Sequence, residues 1–108
     1  MIEITDEQRE VLKLAIEIYG RTNQIYKCVE EMGELIQALM KYGNATDLSH
    51  DLAEATIKAV KQYENVIEEI ADVRIMVEQV AIMFGEEDVN KMIGYKIDRL
   101  AQRLHGEV

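Results

Sequence analysis

No proline interrupts this chain, and its six glycines are thinly spread. Proline is the side chain that forbids a helix interior and glycine the one that most weakens it, so long helices meet few obstacles here. Between the glycines apolar residues recur at steps of three and four, the helical period, and not at two. The chain therefore predicts an all-α fold of four or five helices packed as a bundle, in a single domain spanning residues 1–108. With 48% hydrophobic residues, a chain of this length can form one packed core.

Thr5 with Gln8 three residues later has the form of a capping box. It opens a first helix in which Val11, Leu12, Ala15, Ile18 and Tyr19 share a face until Gly20 ends it. Thr22 or Asn23 can cap a second helix that runs to about Tyr42, with Gly43 as its stop. Its apolar positions are Ile25, Cys28, Val29, Met32, Leu35, Ile36, Leu39 and Met40. After the loop "GNATDLS" a third stretch begins near Ser49 or His50 and meets no breaker before Gly85. It reads equally as one very long helix or as two with a bend near Gln62 to Asn65. The last helix starts near Glu86 or Asp88 and turns Val89, Met92, Ile93, Ile97, Leu100 and Leu104 inward. From Ile70 to Phe84 only Asp72, Arg74, Glu78 and Gln79 are polar, and a helix apolar around most of its circumference needs cover on more than one side. Three partner helices of a small chain leave part of it bare, which predicts a second copy and hence a homo-oligomer.

A formal charge of −9 argues against binding a nucleic acid polymer, because that affinity comes mainly from Lys and Arg neutralising phosphates. An acidic protein that handles nucleotides needs metal ions between itself and the phosphates. Cys28 is the single cysteine, so no intramolecular disulfide forms and nothing requires an oxidising compartment. The first ten residues, "MIEITDEQRE", lack the basic start and apolar run of a signal peptide, and no uninterrupted apolar run reaches membrane-spanning length. The expected setting is cytoplasmic, away from membranes.

The stretch "CVEEMGELIQAL" places Glu30, Glu31 and Glu34 within about a turn and a half of one helix. With Met32 at the centre of the buried face and about 100° per residue, Glu31 and Glu34 lie on a stripe bordering the core, continued by Gln24, Lys27 and Ala38. On the third segment, centred on Ile70, Glu69 and Asp72 fall on the equivalent border, continued by Gln62, Asn65 and Met76. If the two helices pack together, four carboxylates converge. Unit charges about 4 Å apart cost roughly 1 kcal/mol in water and about 4 in a partly buried setting, so such a cluster calls for a cation. All-oxygen ligands suit a hard ion: Mg2+ first, with Mn2+ as a substitute. A carboxylate di-iron bundle needs a His three residues after a Glu, and His50 and His105 do not fit. Each motif alone is also what a solvated helix face looks like; their joint placement is what favours a metal site.

"EEMGE" followed by "EEIAD", one on each of two helices, resembles the E-x-x-E and E-x-x-D signature of the MazG-like all-α nucleoside triphosphate pyrophosphohydrolases, a family related to dimeric dUTPases and phosphoribosyl-ATP pyrophosphatases. The likeness extends from "NQIYKCVEEMGELIQAL" to "YKIDRLAQRL", about Asn23 to Leu104. The chain departs from the family in the 34 residues between Glu34 and Glu69, a longer separation than usual, with the extra length in "DLAEATIKAVKQYEN". The resemblance implies that Glu31, Glu34, Glu69 and Asp72 are magnesium ligands and that Glu30 orients or deprotonates the attacking water. It implies cleavage of a nucleoside or deoxynucleoside triphosphate between the α and β phosphates, giving the monophosphate and pyrophosphate, by a dimer or a dimer of dimers. Positively charged partners for the phosphates are sought in Lys27, one turn before Glu31, and in Lys96, Arg99 and Arg103, a basic stripe on the last helix. Lys27 is also placed to pair with Glu31, and basic residues near a helix C-terminus also suit its dipole. Gln24 can donate to and accept from a base edge. Two other functions fit the same chain: a non-catalytic helical interaction module kept soluble by its acids, and a nucleotide sensor that binds without turnover.

Overall fold

A computed structural model of the chain describes residues 3–47 and 52–107. Four helices follow one another: α1 (Asp6–Tyr19), α2 (Arg21–Asp47), α3 (Leu52–Phe84) and α4 (Glu86–Glu107). No strand occurs among the described residues.

The ends of α1 are set locally. Thr5 Oγ1 accepts from the Gln8 backbone N–H at 3.1 Å while Gln8 Oε1 accepts from the Thr5 N–H at 2.9 Å, the reciprocal bonds of a capping box. Asp6 and Glu7 add negative charge to the first turn, where the helix dipole favours it. Gly20 breaks the helix at φ 91°, a backbone region that a Cβ strains. The chain re-enters a helix at once, so neither Thr22 nor Asn23 caps α2. Asn23 lies inside the first turn of α2, and its Nδ2 donates back to the Tyr19 carbonyl at 2.8 Å, closing the end of α1 instead.

Gly43 does not stop α2, which continues to Asp47. A single glycine costs a helix only about 1 kcal/mol relative to alanine, and packing against α3 at Tyr42, whose ring lies 6.3 Å from that of Tyr63, offsets it. The expected loop is correspondingly shorter, because residues 43–47 are helical; Leu48, Ser49 and His50 lie outside the described residues. The third segment is one unbroken helix through Gln62 to Asn65. At its far end Gly85 takes φ 121° and admits an abrupt change of direction into α4, whose first turn holds Glu86, Glu87 and Asp88.

The main pairing is α2 against α3, two long antiparallel helices in one seam. At the Gly20 and Gly85 end, the Arg21 guanidinium donates to the Met83 carbonyl at 3.3 Å. Arg9 joins α1 to the junction of α3 and α4 by pairing with Glu86 and with Glu78, the latter at 3.7 Å. Apart from that Arg9–Glu86 pair at its first residue, α4 packs against α3 alone among the described residues.

The face that the seam buries is not the expected one. On α2 the buried positions are Gln24, Cys28, Glu31 and Ala38, while Val29, Met32, Ile36, Leu39 and Met40 are exposed. The buried face is thus centred on Glu31, one residue before Met32, a rotation of about 100°. On α1, Val11, Ile18 and Tyr19 are exposed, and contact falls on Leu12, Ala15 and Ile16. On α4, Met92, Ile97, Leu100 and Leu104 are exposed, with only Val89 and Ile93 of the expected inward set partly covered. The apolar stripes are real. Among the described residues of one chain, nothing covers them.

Candidate metal centre

The Gln24–Gln79 bridge sets the register of the seam. Gln24 Nε2 donates to Gln79 Oε1 at 2.7 Å, and both side chains are buried. Amides removed from water need such partners, and each finds one in the other helix. Seven residues, or two turns, down α2 and seven back along α3 bring Glu31 opposite Asp72 on the same face. One turn further along α3 lies Glu69. One carboxylate oxygen from each of Glu31, Glu69 and Asp72 lies within 4.8 Å of the others. Both sequence motifs, "EEMGE" and "EEIAD", therefore meet across the seam.

Glu31 is the most buried of the acids, at 8% exposure, and Glu69 and Asp72 are half-buried. Lys27 reaches from one turn back to Glu31 Oε1 at 3.2 Å and to Glu30 Oε1 at 3.7 Å. That contact, first through its hydrogen bond to Glu31, holds the Lys27 ammonium above its usual pKa. One ammonium does not neutralise the cluster. Glu31 Oε2 and Glu69 Oε2 are both shut off from water with no hydrogen-bond partner among the described residues.

The electrostatic consequence shows in the neighbouring acids. A hydrogen bond to Glu31 and then the Glu31 charge push Glu34 above the ordinary carboxylate range, with burial, Glu69 and Glu30 adding to the effect. Burial, then the charges of Asp72, Glu31 and Glu68, push Glu69 up in the same direction. Loss of hydration and crowding of like charge both favour the protonated acid. A divalent cation relieves both at once, and an all-oxygen donor set with two buried, unpartnered oxygens fits Mg2+ or Mn2+.

The remaining sequence candidates divide. Glu34 lies at the edge of the seam, exposed but against Glu31. Glu30 is exposed beside Lys27. Gln24 is committed to Gln79 rather than open to a ligand. Lys96, Arg99 and Arg103 are exposed on α4, which does not pack against α2, so one chain does not bring them to the acids. Gln79 went unsingled by the sequence reading, although its place seven residues after Asp72 marks it as a member of the acidic stripe. A groove of about 590 Å³ lined by Glu3, Ile4, Gln8, Val11, Leu12, Ala71, Arg74 and Ile75 includes none of the acids of the seam.

Comparison with protein-family models, curated proteins and solved structures finds no match, so the role of the site rests on its own chemistry. No described helix is long and apolar enough to cross a membrane.

Proposed function

We propose that the protein is a cytoplasmic, magnesium-dependent hydrolase of nucleoside or deoxynucleoside triphosphates, of the MazG-like kind, that releases the monophosphate and pyrophosphate and serves to clean the nucleotide pool. The observation that supports this reading most is the pair of buried, unpartnered oxygens, Glu31 Oε2 and Glu69 Oε2, inside a cluster built from the two motifs that carry the resemblance. A merely solvated acidic face would keep those oxygens in water.

In this reading Glu31, Glu69 and Asp72 hold the metal across the seam, and Glu34 joins them from its edge. Magnesium, when bound, supplies charge neutralisation for the triphosphate and activation of water. Phosphoryl-centre hydrolysis depends mostly on positioning and electrostatic stabilisation, which rigid helices facing each other provide. Glu30, exposed beside the cluster and 3.7 Å from the Lys27 ammonium, would orient the water or take its proton. Lys27 can exchange its ion pair with Glu31 for a phosphate oxygen once a metal satisfies that carboxylate. Gln24 would reach a base only by releasing Gln79, so its first role is to fix the register.

The working unit is a homodimer or homotetramer. Support comes from surface area: the chain exposes 8495 Å², against about 6,100 Å² expected of a folded monomer of this mass. Incubation with a panel of nucleoside triphosphates and magnesium, followed by separation of the products, tests the reaction; monophosphate and pyrophosphate are expected. Orthophosphate release, or no turnover of any nucleotide, rejects it. Binding without turnover would identify a sensor. The absence of thermal stabilisation by magnesium would leave a helical interaction module.

A further inference from the structure

We propose that α4 is an exchanged arm, which lies on a second copy of this chain and delivers Lys96, Arg99 and Arg103 to that copy's acidic seam. The proposal rests on the hydrolase reading for what the arm does there, but its geometry stands on separate observations.

A triphosphate approaching the seam meets Glu30, Glu31, Glu34, Glu69 and Asp72, and Lys27 is the one cation paired with these acids among the described residues. More positive charge is needed, and the chain concentrates it on α4. Four of its twelve Lys and Arg fall between Lys91 and His105, where Asp98 is the lone acid. The rest of the chain is strongly negative. Charge complementarity therefore favours contact between this part of α4 and the acidic body of another copy.

Its own chain gives the basic stripe nothing to do. A helix of 22 residues is about 33 Å long, and Lys96 lies about 15 Å from its start. Past the Arg9–Glu86 pair at its start, the helix packs only against α3 among the described residues, and Lys96, Arg99 and Arg103 are all exposed, with no acid paired to any of them among those residues. The molecule measures 49 × 44 × 24 Å. The length of α3, about 50 Å, accounts for the first dimension. The second is far wider than a helical pair some 20 Å across, as expected if α4 stands away from the seam.

The arm is also built to dock. Ile93, Ile97, Leu100 and Leu104 follow one another at steps of four, three and four, so they form one apolar stripe, with Lys96 and Arg103 along its edge. The exposed area beyond that of an ordinary monomer, about 2,400 Å² per chain, exceeds what a standard-size complex buries in total, and suits an obligate pairing in which arms embrace. An apolar stripe bordered by basic residues, on a helix projecting from an acidic body, fits another acidic body better than solvent.

Two variant chains test the arrangement by complementation: Asp72→Asn, which keeps its arm but lacks a complete acid cluster, and the triple variant Lys96→Ala, Arg99→Ala, Arg103→Ala, which keeps the acids. Each alone should lose at least tenfold in turnover while retaining wild-type helicity by circular dichroism. Unfolded together in equal amounts and refolded, they should recover about a quarter of wild-type activity, because half the dimers are mixed and one site in each has both parts. A mixture no more active than the sum of its parts, beside an active wild type, overturns the proposal. A second arm needs no catalysis. Chains carrying Cys28→Ser with Arg99→Cys are mixed and refolded with chains carrying Cys28→Ser with Glu34→Cys, then treated with a short bis-maleimide. Covalent heterodimer is expected even if no nucleotide is hydrolysed, which separates failure of the arm from failure of the hydrolase reading. Its absence, beside an intramolecular cross-link in a third chain that carries Cys28→Ser, Glu34→Cys and Arg99→Cys together, overturns the arm.

Discussion

Glu31 sits at 8% exposure between two helices, where a carboxylate needs a proton, a cationic side chain or a metal ion to be tolerated. Lys27 serves one of its oxygens and leaves the other bare. This division yields a first prediction. Asp72→Asn should lower turnover about 100-fold, since the cluster loses one of its four proposed charged ligands. The same change should raise the melting temperature of the metal-free protein by relieving repulsion, and should reduce its stabilisation by magnesium. Melts with and without the ion, together with product assays, check all three effects. A second prediction concerns pH. Glu34 and Glu69 hold their protons to higher pH when folded than when unfolded, so their contribution to stability is fully present below the ordinary carboxylate value and is lost as pH rises through the raised values. The metal-free protein should therefore lose stability from this source as pH rises from about 4, the ordinary carboxylate value, through the raised values. Magnesium needs the ionised acids, so the stabilisation it brings should grow over that same interval. Thermal melts across the range, with chelator and with magnesium, would show the two curves diverging; parallel curves would mean that the cluster binds no ion.

At the scale of the element, the α2–α3 seam is a polar contact where an apolar one would be expected. Gln24 Nε2 donates to Gln79 Oε1 while Gln79 Nε2 turns to Met76 Sδ, and Glu31, Asp72 and Glu69 lie two to three turns along from them. Apolar pairs slide past one another at small cost, whereas a hydrogen-bonded amide pair exists in one register only. Gln24→Leu alone should cost about 1–3 kcal/mol, because it strands the Gln79 amide in the seam. Combining Gln24→Leu with Gln79→Leu should recover most of that loss while shifting metal affinity, as the register is no longer pinned. Urea denaturation and a magnesium titration separate the two effects, and additive losses in the double variant would deny the amides their joint role. Arg9 acts in a similar way between α1 and the start of α4, through Glu78 and Glu86. Burial and the neighbouring Glu86 charge push Glu78 up in pKa while Arg9 pulls it down, so the clamp works against a cost of its own.

For the whole molecule, a radius of gyration of 17.9 Å stands beside about 13 Å for a compact domain of this length. Of the described hydrophobic residues, Cys28, Ala38, Met76 and Ala81 are buried, and none is large and fully enclosed. So small a core gives a lone chain little buried apolar area, the main force opposing chain entropy. Sedimentation should therefore give a dimer or tetramer at micromolar concentration. Val29→Asp with Ile36→Asp, on the bare face of α2, should raise the dissociation constant by about 100-fold or more. Unchanged sedimentation of the double variant across a dilution series would place the interface elsewhere.

What the amino-acid order determined by itself acts through neighbours within a turn. The helical class, the capping box at Thr5, the breaks at Gly20 and Gly85, and the two acid motifs are all legible because cap, break and spacing depend on a residue's own backbone and on side chains three or four positions away. Only tertiary structure decided which face of each helix turned inward. α2 presents two adjacent faces, an apolar one centred near Met32 and a mixed one centred on Glu31, and rotation about a helix axis changes no local bond. Pairing with α3 through Gln24 and Gln79 selected the mixed face, so the acids entered the seam and the apolar residues went to the surface. The continuity of α2 past Gly43 and the outward course of α4 were decided in the same way, by contacts with another helix that no short-range signal encodes.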